Sequence, residues 1–290
     1  MNSKDELKSF IPAKEFFIGV DSDGTVFNSM SIKHINSMYP AAMEIWDAGS
    51  SSEEFKKIWL NYNLYSGNRG TNRFLSLLYA LEQMKKITDT PPVSDTSSLR
   101  NFVKKSQTLS KDALREWVRQ DPSPLLDDVI RWSEKADEFF AEQTKDIQHF
   151  KNVKAAFEIM TKNADVMALS SAPRKGLDDE WSSSGLLGYV SLLGGQEIGN
   201  KKSQLKIAAA GKYSPSNMMI IGDAPGDLEA ARSVNASFFP IMPGSEEESW
   251  AFLSGEALER FFNYKYQGEY EEKLIIKFLD FFLSEINKAN

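Results

Sequence analysis

IGVDSDGTVFN, residues 18–28, decides how the rest of the chain is read. An apolar run ends abruptly in two aspartates one residue apart, Asp21 and Asp23, and a glycine and a threonine, Gly24 and Thr25, follow at once. DSDG is turn-rich composition, so a surface turn is one reading. The apolar stretch before it, EFFIGV (15–20), is that of a buried strand. In an open α/β sheet, ligands bind beyond the carboxyl ends of strands, where strand order reverses. On that reading the two aspartates stand at a strand tip facing a crevice.

The strands that would pair with this one come much later. After residue 150 the chain alternates: VKAAFEIMTK helix, ADVMALS strand, RKGLDDEWSSSG helix ending at Gly185, YVSLLGG short strand, KKSQLKIAAAGK helix, NMMIIGD strand, APGDLEAARSV helix, ASFFPI strand. Such alternation predicts a parallel sheet with helices on both faces. Residues 245–288 read as helices covering the sheet, with most of Trp250, Phe252, Phe261, Phe262, Phe278, Phe281 and Phe282 in the core. Between residues 29 and 149 the pattern is helical throughout, as in Phe74, Leu75, Leu77, Leu78, Leu81 and Met84, with polar breaks at TDTPPVSDTSS (88–98) and DPSP (121–124). The expectation is an α/β core formed by 1–28 and 150–290, with an all-helical domain, 29–149, inserted after the first strand.

Composition narrows the functions. The chain has 290 residues, 41% hydrophobic and 26% charged, which is globular. Cysteine is absent, which excludes disulfides and thiolate zinc sites, and two histidines, His34 and His149, are few for a histidine-built metal centre. A formal charge of −7 opposes a broad nucleic-acid surface. No apolar run has the ~20 residues of a membrane span, and MNSKDELKSF lacks the apolar core of a secretory signal. A cytoplasmic protein with no membrane or nucleic-acid partner is expected.

A second carboxylate pair, Asp223 and Asp227, follows the strand NMMIIG. Two strand tips would then each deliver two carboxylates to one crevice. Like charges that close resist joint ionisation unless something positive lies among them. Mg²⁺ takes oxygen ligands and commonly joins carboxylates to phosphate, so the four aspartates read as a metal and phosphoryl site. Gly24 permits a tight turn that presents backbone N–H groups to an anion.

These residues resemble the haloacid dehalogenase-like hydrolase superfamily, with its Rossmann-like core. Asp21-Ser22-Asp23-Gly24-Thr25 matches its DxDGT motif, and Ser170 in VMALSSAP matches the polar residue ending the next core strand. Lys201 or Lys202 in GNKKSQL matches its lysine, and Gly222-Asp223 through Asp227 matches its acidic GDxxxD pair. The resemblance covers roughly 14–30 and 150–242 and leaves Ser171 competing with Ser170. It implies that Asp21 is a nucleophile forming an aspartyl-phosphate and that Asp23 is the general acid and base. It further implies that Mg²⁺ is held by Asp21, the backbone carbonyl of Asp23 and Asp223, with Asp227 touching the metal directly or bonding to one of its ligands. Ser170 would bind a phosphoryl oxygen, and the lysine would neutralise charge. Asp23 favours phosphate-ester hydrolysis, with phosphomutase chemistry as the alternative. A phospho-accepting signalling or binding domain is a more distant one, since such domains lack a long insertion after strand one.

The insertion resembles the family's helical cap, which selects a small phosphorylated metabolite. Its candidate substrate segment is YSGNRGTNRFLSLL (65–78), with Asn68, Arg69, Asn72 and Arg73. Arginine suits bidentate contact with phosphate or carboxylate, although a polar helix start with solvated arginines reads the same way. Gly24, Thr25 and Ser171 complete the candidate substrate contacts.

Overall fold

A computed structural model of the chain describes residues 3–46, 49–143 and 147–289. It divides into two compact units, Met1–Asn28 with Ile147–Ser284, and Ser29–Asp146 with Glu285–Asn290.

The first unit is built on five strands: β1 Phe16–Asp21, β2 Ala164–Leu169, β3 Leu192–Gly194, β4 Met218–Gly222 and β5 Ser237–Pro240. They form one sheet in the order β3-β2-β1-β4-β5, every pair parallel. All five are buried along their whole length, because helices lie on both faces, and their sequences are therefore continuously apolar rather than alternating. The helices Arg174–Ser183, Lys201–Ala208 and Pro225–Arg232 each follow a strand and return the chain to the start of the next.

Alternation within β1 divides the core in two. Phe16, Ile18 and Val20 pack with Phe157, Trp181, Trp250 and Phe261 on one face. Phe17 packs with Met167, Leu205, Leu228, Phe278 and Phe282 on the other. Gly19 lies in the same phase as Phe17 and Asp21. A Cβ there would stand 2.7 Å from Leu169 and 3.4 Å from Leu205. Ile220 would be met at 2.9 Å, so the absent side chain makes room for Leu169 and Ile220 of the strands on either side. Of the C-terminal aromatics, Trp250, Phe261, Phe278 and Phe282 are buried, whereas Phe252 is exposed at 36%.

An N-terminal helix, Ser3–Ser9, has no apolar periodicity to announce it, since Leu7 is its one buried hydrophobe. Tertiary bonds hold it in place: the Lys212 ammonium donates to the carbonyls of Leu7, Lys8 and Phe10 at 2.8, 3.2 and 2.9 Å.

The second unit is helical, with Tyr39–Ile45, Ser52–Leu60, Arg73–Ile87, Ser97–Lys105, Lys111–Gln120 and Pro124–Gln143 around an aromatic core. Trp59 and Trp132 meet edge to face at 6.0 Å, as do Phe74 and Phe102 at 5.7 Å. Two stretches, Ile32–Met38 and Asn61–Tyr65, are wound as π-helix. Among the described residues no helix is long and apolar enough to cross a membrane.

Candidate active site

The site begins where β1 ends. Asp21 is still paired with Leu169 of β2, so its backbone is fixed by the sheet. The chain then turns: the amides of Val26 and Phe27 donate to the Ser22 carbonyl at 2.9 and 3.1 Å, and the amide of Gly24 donates to the Phe27 carbonyl at 2.9 Å. Gly24 sits at φ +78°, a left-handed conformation that glycine adopts without steric cost. Ser22 faces away from the aspartates. Its hydroxyl accepts from the Trp181 indole at 3.0 Å and donates to Glu180 at 3.3 Å. The Trp250 indole donates to the Thr25 carbonyl at 2.8 Å and holds the turn from the same face of the sheet.

Three carboxylates converge at this tip. Asp21, Asp223 and Asp227 are all buried and each offers an oxygen within 4.8 Å of the others. β4 lies beside β1, so the sheet order alone brings Asp223 to Asp21. Asp227 belongs to the first turn of the helix Pro225–Arg232, where its carboxylate accepts from the Ala224 amide at 3.1 Å. The Thr25 hydroxyl lies 3.3 Å from Asp21 and 3.0 Å from Asp223, so it donates to one or shares its proton between them.

Lys201 provides the counter-charge. Its ammonium reaches Asp21 at 2.7 Å and Asp227 at 2.5 Å. Lys202 points elsewhere, to Glu229 at 2.9 Å, and stays half-exposed. Lys201 and Leu205 are one helical turn apart, and Gly19 and Asp21 share one face of β1. Seating Leu205 over Gly19 therefore seats Lys201 over Asp21. Burial pushes the Asp21 carboxyl well above its usual range; Lys201 opposes this, and Asp227 and Asp223 add to it. Burial raises Asp227 as well, again against Lys201. The two carboxylates in turn hold Lys201 firmly protonated, overcoming the burial that works to lower it.

Ser170 directly follows β2, the neighbour of β1, and is buried. Its Oγ accepts from the Ala172 amide at 3.0 Å, which leaves its own proton for another acceptor. Ser171 is exposed. Asp23, two residues past Asp21, is less buried than the three clustered carboxylates.

The candidate substrate residues of the helical unit are bound within that unit. Asn72 caps the helix Arg73–Ile87, its Oδ1 accepting from the Phe74 amide at 3.0 Å, while its Nδ2 donates to the Leu109 carbonyl at 2.8 Å. Arg73 donates to Asp137 at 2.7 Å and to the Ser133 hydroxyl at 3.1 Å. Arg69 is buried and donates to the Leu64 carbonyl at 3.1 Å. The structure thus gives Asn72 and Arg73 stabilising partners far along the chain, which their clustering with glycines does not reveal.

Several positioning groups escape a reading of the motifs: the anchors of the turn, Trp181 and Trp250, and the buried Gln204. One signal existed for the last. Gln204 is a polar residue four before Ala208 on the helix face that also carries Leu205.

No protein-family model matches the chain, and no curated protein matches it in sequence. Solved structures do. One is described as a predicted phosphoglycolate phosphatase from Haemophilus somnus 129pt; it is 13% identical, with 80% of this chain and 87% of that one covered at a TM-score of 0.51. A hydrolase from Pseudomonas syringae is 15% identical over 81% and 90%, at 0.47. A HAD-superfamily hydrolase, subfamily IA, variant 1, from Geobacter sulfurreducens PCA is 13% identical over 79% and 88%, at 0.42. At such identity the likeness of the first concerns the fold: the chain has a haloacid dehalogenase-like fold, an α/β core with a helical insertion.

Proposed function

We propose that the chain is a cytoplasmic Mg²⁺-dependent phosphatase, hydrolysing a small phosphate monoester through an aspartyl-phosphate on Asp21. The observation that carries this reading is the convergence of Asp21, Asp223 and Asp227 with Lys201 at the tip of the central strand. Strand order reverses at β1, since β2 and β4 lie on its two sides, and this is where α/β sheets bind ligands.

The donor set suits a hard divalent cation. Three buried carboxylates converge on one ammonium, so a divalent cation would find a cluster with more acidic than basic groups. Asp21, Asp223, Asp227 and the backbone carbonyl of Asp23 would hold Mg²⁺, which when bound offsets the charge of the phosphoryl oxygens.

The residues then divide the work. The Asp21 carboxylate attacks phosphorus, and the bond from phosphorus to the ester oxygen breaks. Asp23 gives its proton to the departing alkoxide, so the alcohol leaves neutral. Asp23, now ionised, takes a proton from water, and the hydroxide so formed attacks phosphorus. Inorganic phosphate leaves and Asp21 returns as the carboxylate. Thr25 keeps Asp21 and Asp223 aimed together, Lys201 offsets charge beside the nucleophile, and the Ser170 hydroxyl donates to a phosphoryl oxygen. Phosphoryl transfer asks a protein mainly for such positioning and charge compensation. In the same reading, residues 29–149 form the helical cap of a core made of 1–28 and 150–290, and Arg69 is its candidate anion contact. Gly24 offers its turn to the phosphoryl group.

A panel of small phosphate esters, assayed for free phosphate and for isomerised ester, tests the proposal. Phosphate release that needs Mg²⁺ and disappears with a chelator is expected. Isomer formation without free phosphate would make the chain a mutase, and no Mg²⁺-dependent turnover of any ester would overturn the reading.

A further inference from the structure

Ser170 and Lys201 belong to different segments, yet both must hold a phosphoryl group in one orientation for the reaction proposed above. One buried side chain ties those segments together. Gln204 is fully buried, and its Nε2 lies 2.9 Å from the Ser170 carbonyl, 3.1 Å from the Gly195 carbonyl and 3.0 Å from the Gly199 carbonyl. Two protons serve three acceptors, so one is shared. Ser170 opens the loop after β2, Gly195 and Gly199 belong to the loop after β3, and Gln204 itself is one turn after Lys201 on the following helix.

The same two loops are zipped by backbone bonds. The Ser170 amide donates to the Gly194 carbonyl at 2.9 Å, and the Gln196 amide donates to the Ala172 carbonyl at 2.9 Å. Glu197 accepts from the Arg174 amide at 3.1 and 3.2 Å, closing the start of the next helix. Gln204 adds the helix of Lys201 to this pair of loops. Its Oε1 has no hydrogen-bond partner among the described residues and lies against Gly194, where a Cβ would collide with the amide. A glutamine whose acceptor is left unmatched is held by its donors, which points to the three carbonyls as the reason for an amide here.

Resting on the phosphatase reading, the geometry points to Gln204 as a positioning residue that sets Ser170 and Lys201 in register. It touches no reacting atom. It fixes the carbonyl of the residue whose hydroxyl meets the phosphoryl group and the helix whose ammonium meets Asp21.

Gln204→Met keeps the shape and removes the donors. Hydrogen exchange and steady-state kinetics are measured on this variant and on the wild type. Exchange is expected to quicken at the amides of Ser170, Ala172, Arg174 and 194–200 while protection in β1 and β4 stays unchanged. The kcat is expected to fall about 10- to 100-fold with KM within about threefold, the pattern of lost orientation rather than lost binding. If the Met variant does not fold, Gln204→Asn keeps the amide but draws it back by one methylene, and the same results are expected. Exchange quickened evenly across the sheet, or kcat within about twofold of wild type, would overturn the assignment. The exchange arm needs no substrate, so a wild type that turns over no ester counts against the phosphatase reading and leaves the coupling of the two loops separately tested.

Discussion

Thr25 does at the scale of one hydroxyl what the motif needs beyond its two aspartates: it spans Asp21 and Asp223, 3.3 and 3.0 Å away. Thr25→Val removes that proton and keeps the volume. We expect kcat to fall about 10- to 100-fold with the melting temperature nearly unchanged, and Thr25→Ser to restore most of the rate. Steady-state kinetics on both variants check this; a Val variant at wild-type rate would show the hydroxyl to be idle. Asn72 makes the opposite case. It caps a helix and bonds the Leu109 carbonyl, so Asn72→Ala should destabilise the protein by about 1 kcal/mol, measured by thermal or urea unfolding, and leave KM alone. A KM raised severalfold with stability intact would return Asn72 to the substrate contacts.

Elements set the phase of these side chains. Gly19 leaves room within the sheet for Leu169 and Ile220 of the strands on either side of β1. Gly19→Ala places a Cβ 2.7 Å from Leu169 and 2.9 Å from Ile220, which crowds the tips of flexible side chains. We expect a loss of about 1–3 kcal/mol from overpacking, read by urea unfolding. Unchanged stability would mean that the neighbouring strands do not need this space. The same element explains what the sequence did and did not disclose. Strand, turn and carboxylates are contiguous from 16 to 25, so their chemistry is legible in a short window. The βα alternation after 150 was legible for the same reason. Choosing between Lys201 and Lys202 was a matter of helix phase, and phase is set by Leu205 packing on a strand nearly two hundred positions earlier. Asn72 and Arg73 find their partners at Leu109 and Asp137, and Gln204 finds its own in two separate loops. Such pairings are properties of the packed molecule, and local spacing carries no trace of them.

At the scale of the whole molecule the carboxylate cluster is expected to couple stability to pH and to Mg²⁺. Asp21 and Asp227 bind protons more readily folded than unfolded, because burial raises both. The folded state therefore holds more protons between the ordinary aspartate value of 3.8 and the raised folded values, and stability falls as pH rises through that window. In the presence of a chelator the melting temperature should drop as pH rises above the ordinary aspartate value of 3.8, more for wild type than for Asp21→Asn. Mg²⁺ should recover the loss, since a ligand bound only by the folded state stabilises it. Thermal melts across pH, with chelator and with Mg²⁺, check this. A wild type and an Asp21→Asn variant with the same pH profile would contradict it.

The central claim is that a phosphoryl group passes through the side chain of residue 21. Borohydride reduction of protein quenched during turnover converts an acyl phosphate to an alcohol at the residue that carried it. Peptide mass spectrometry should find homoserine at position 21 of the wild-type chain, and only when ester and Mg²⁺ are both present. An unreduced Asp21 in protein that was releasing phosphate, or reduction at another carboxylate, would contradict the account.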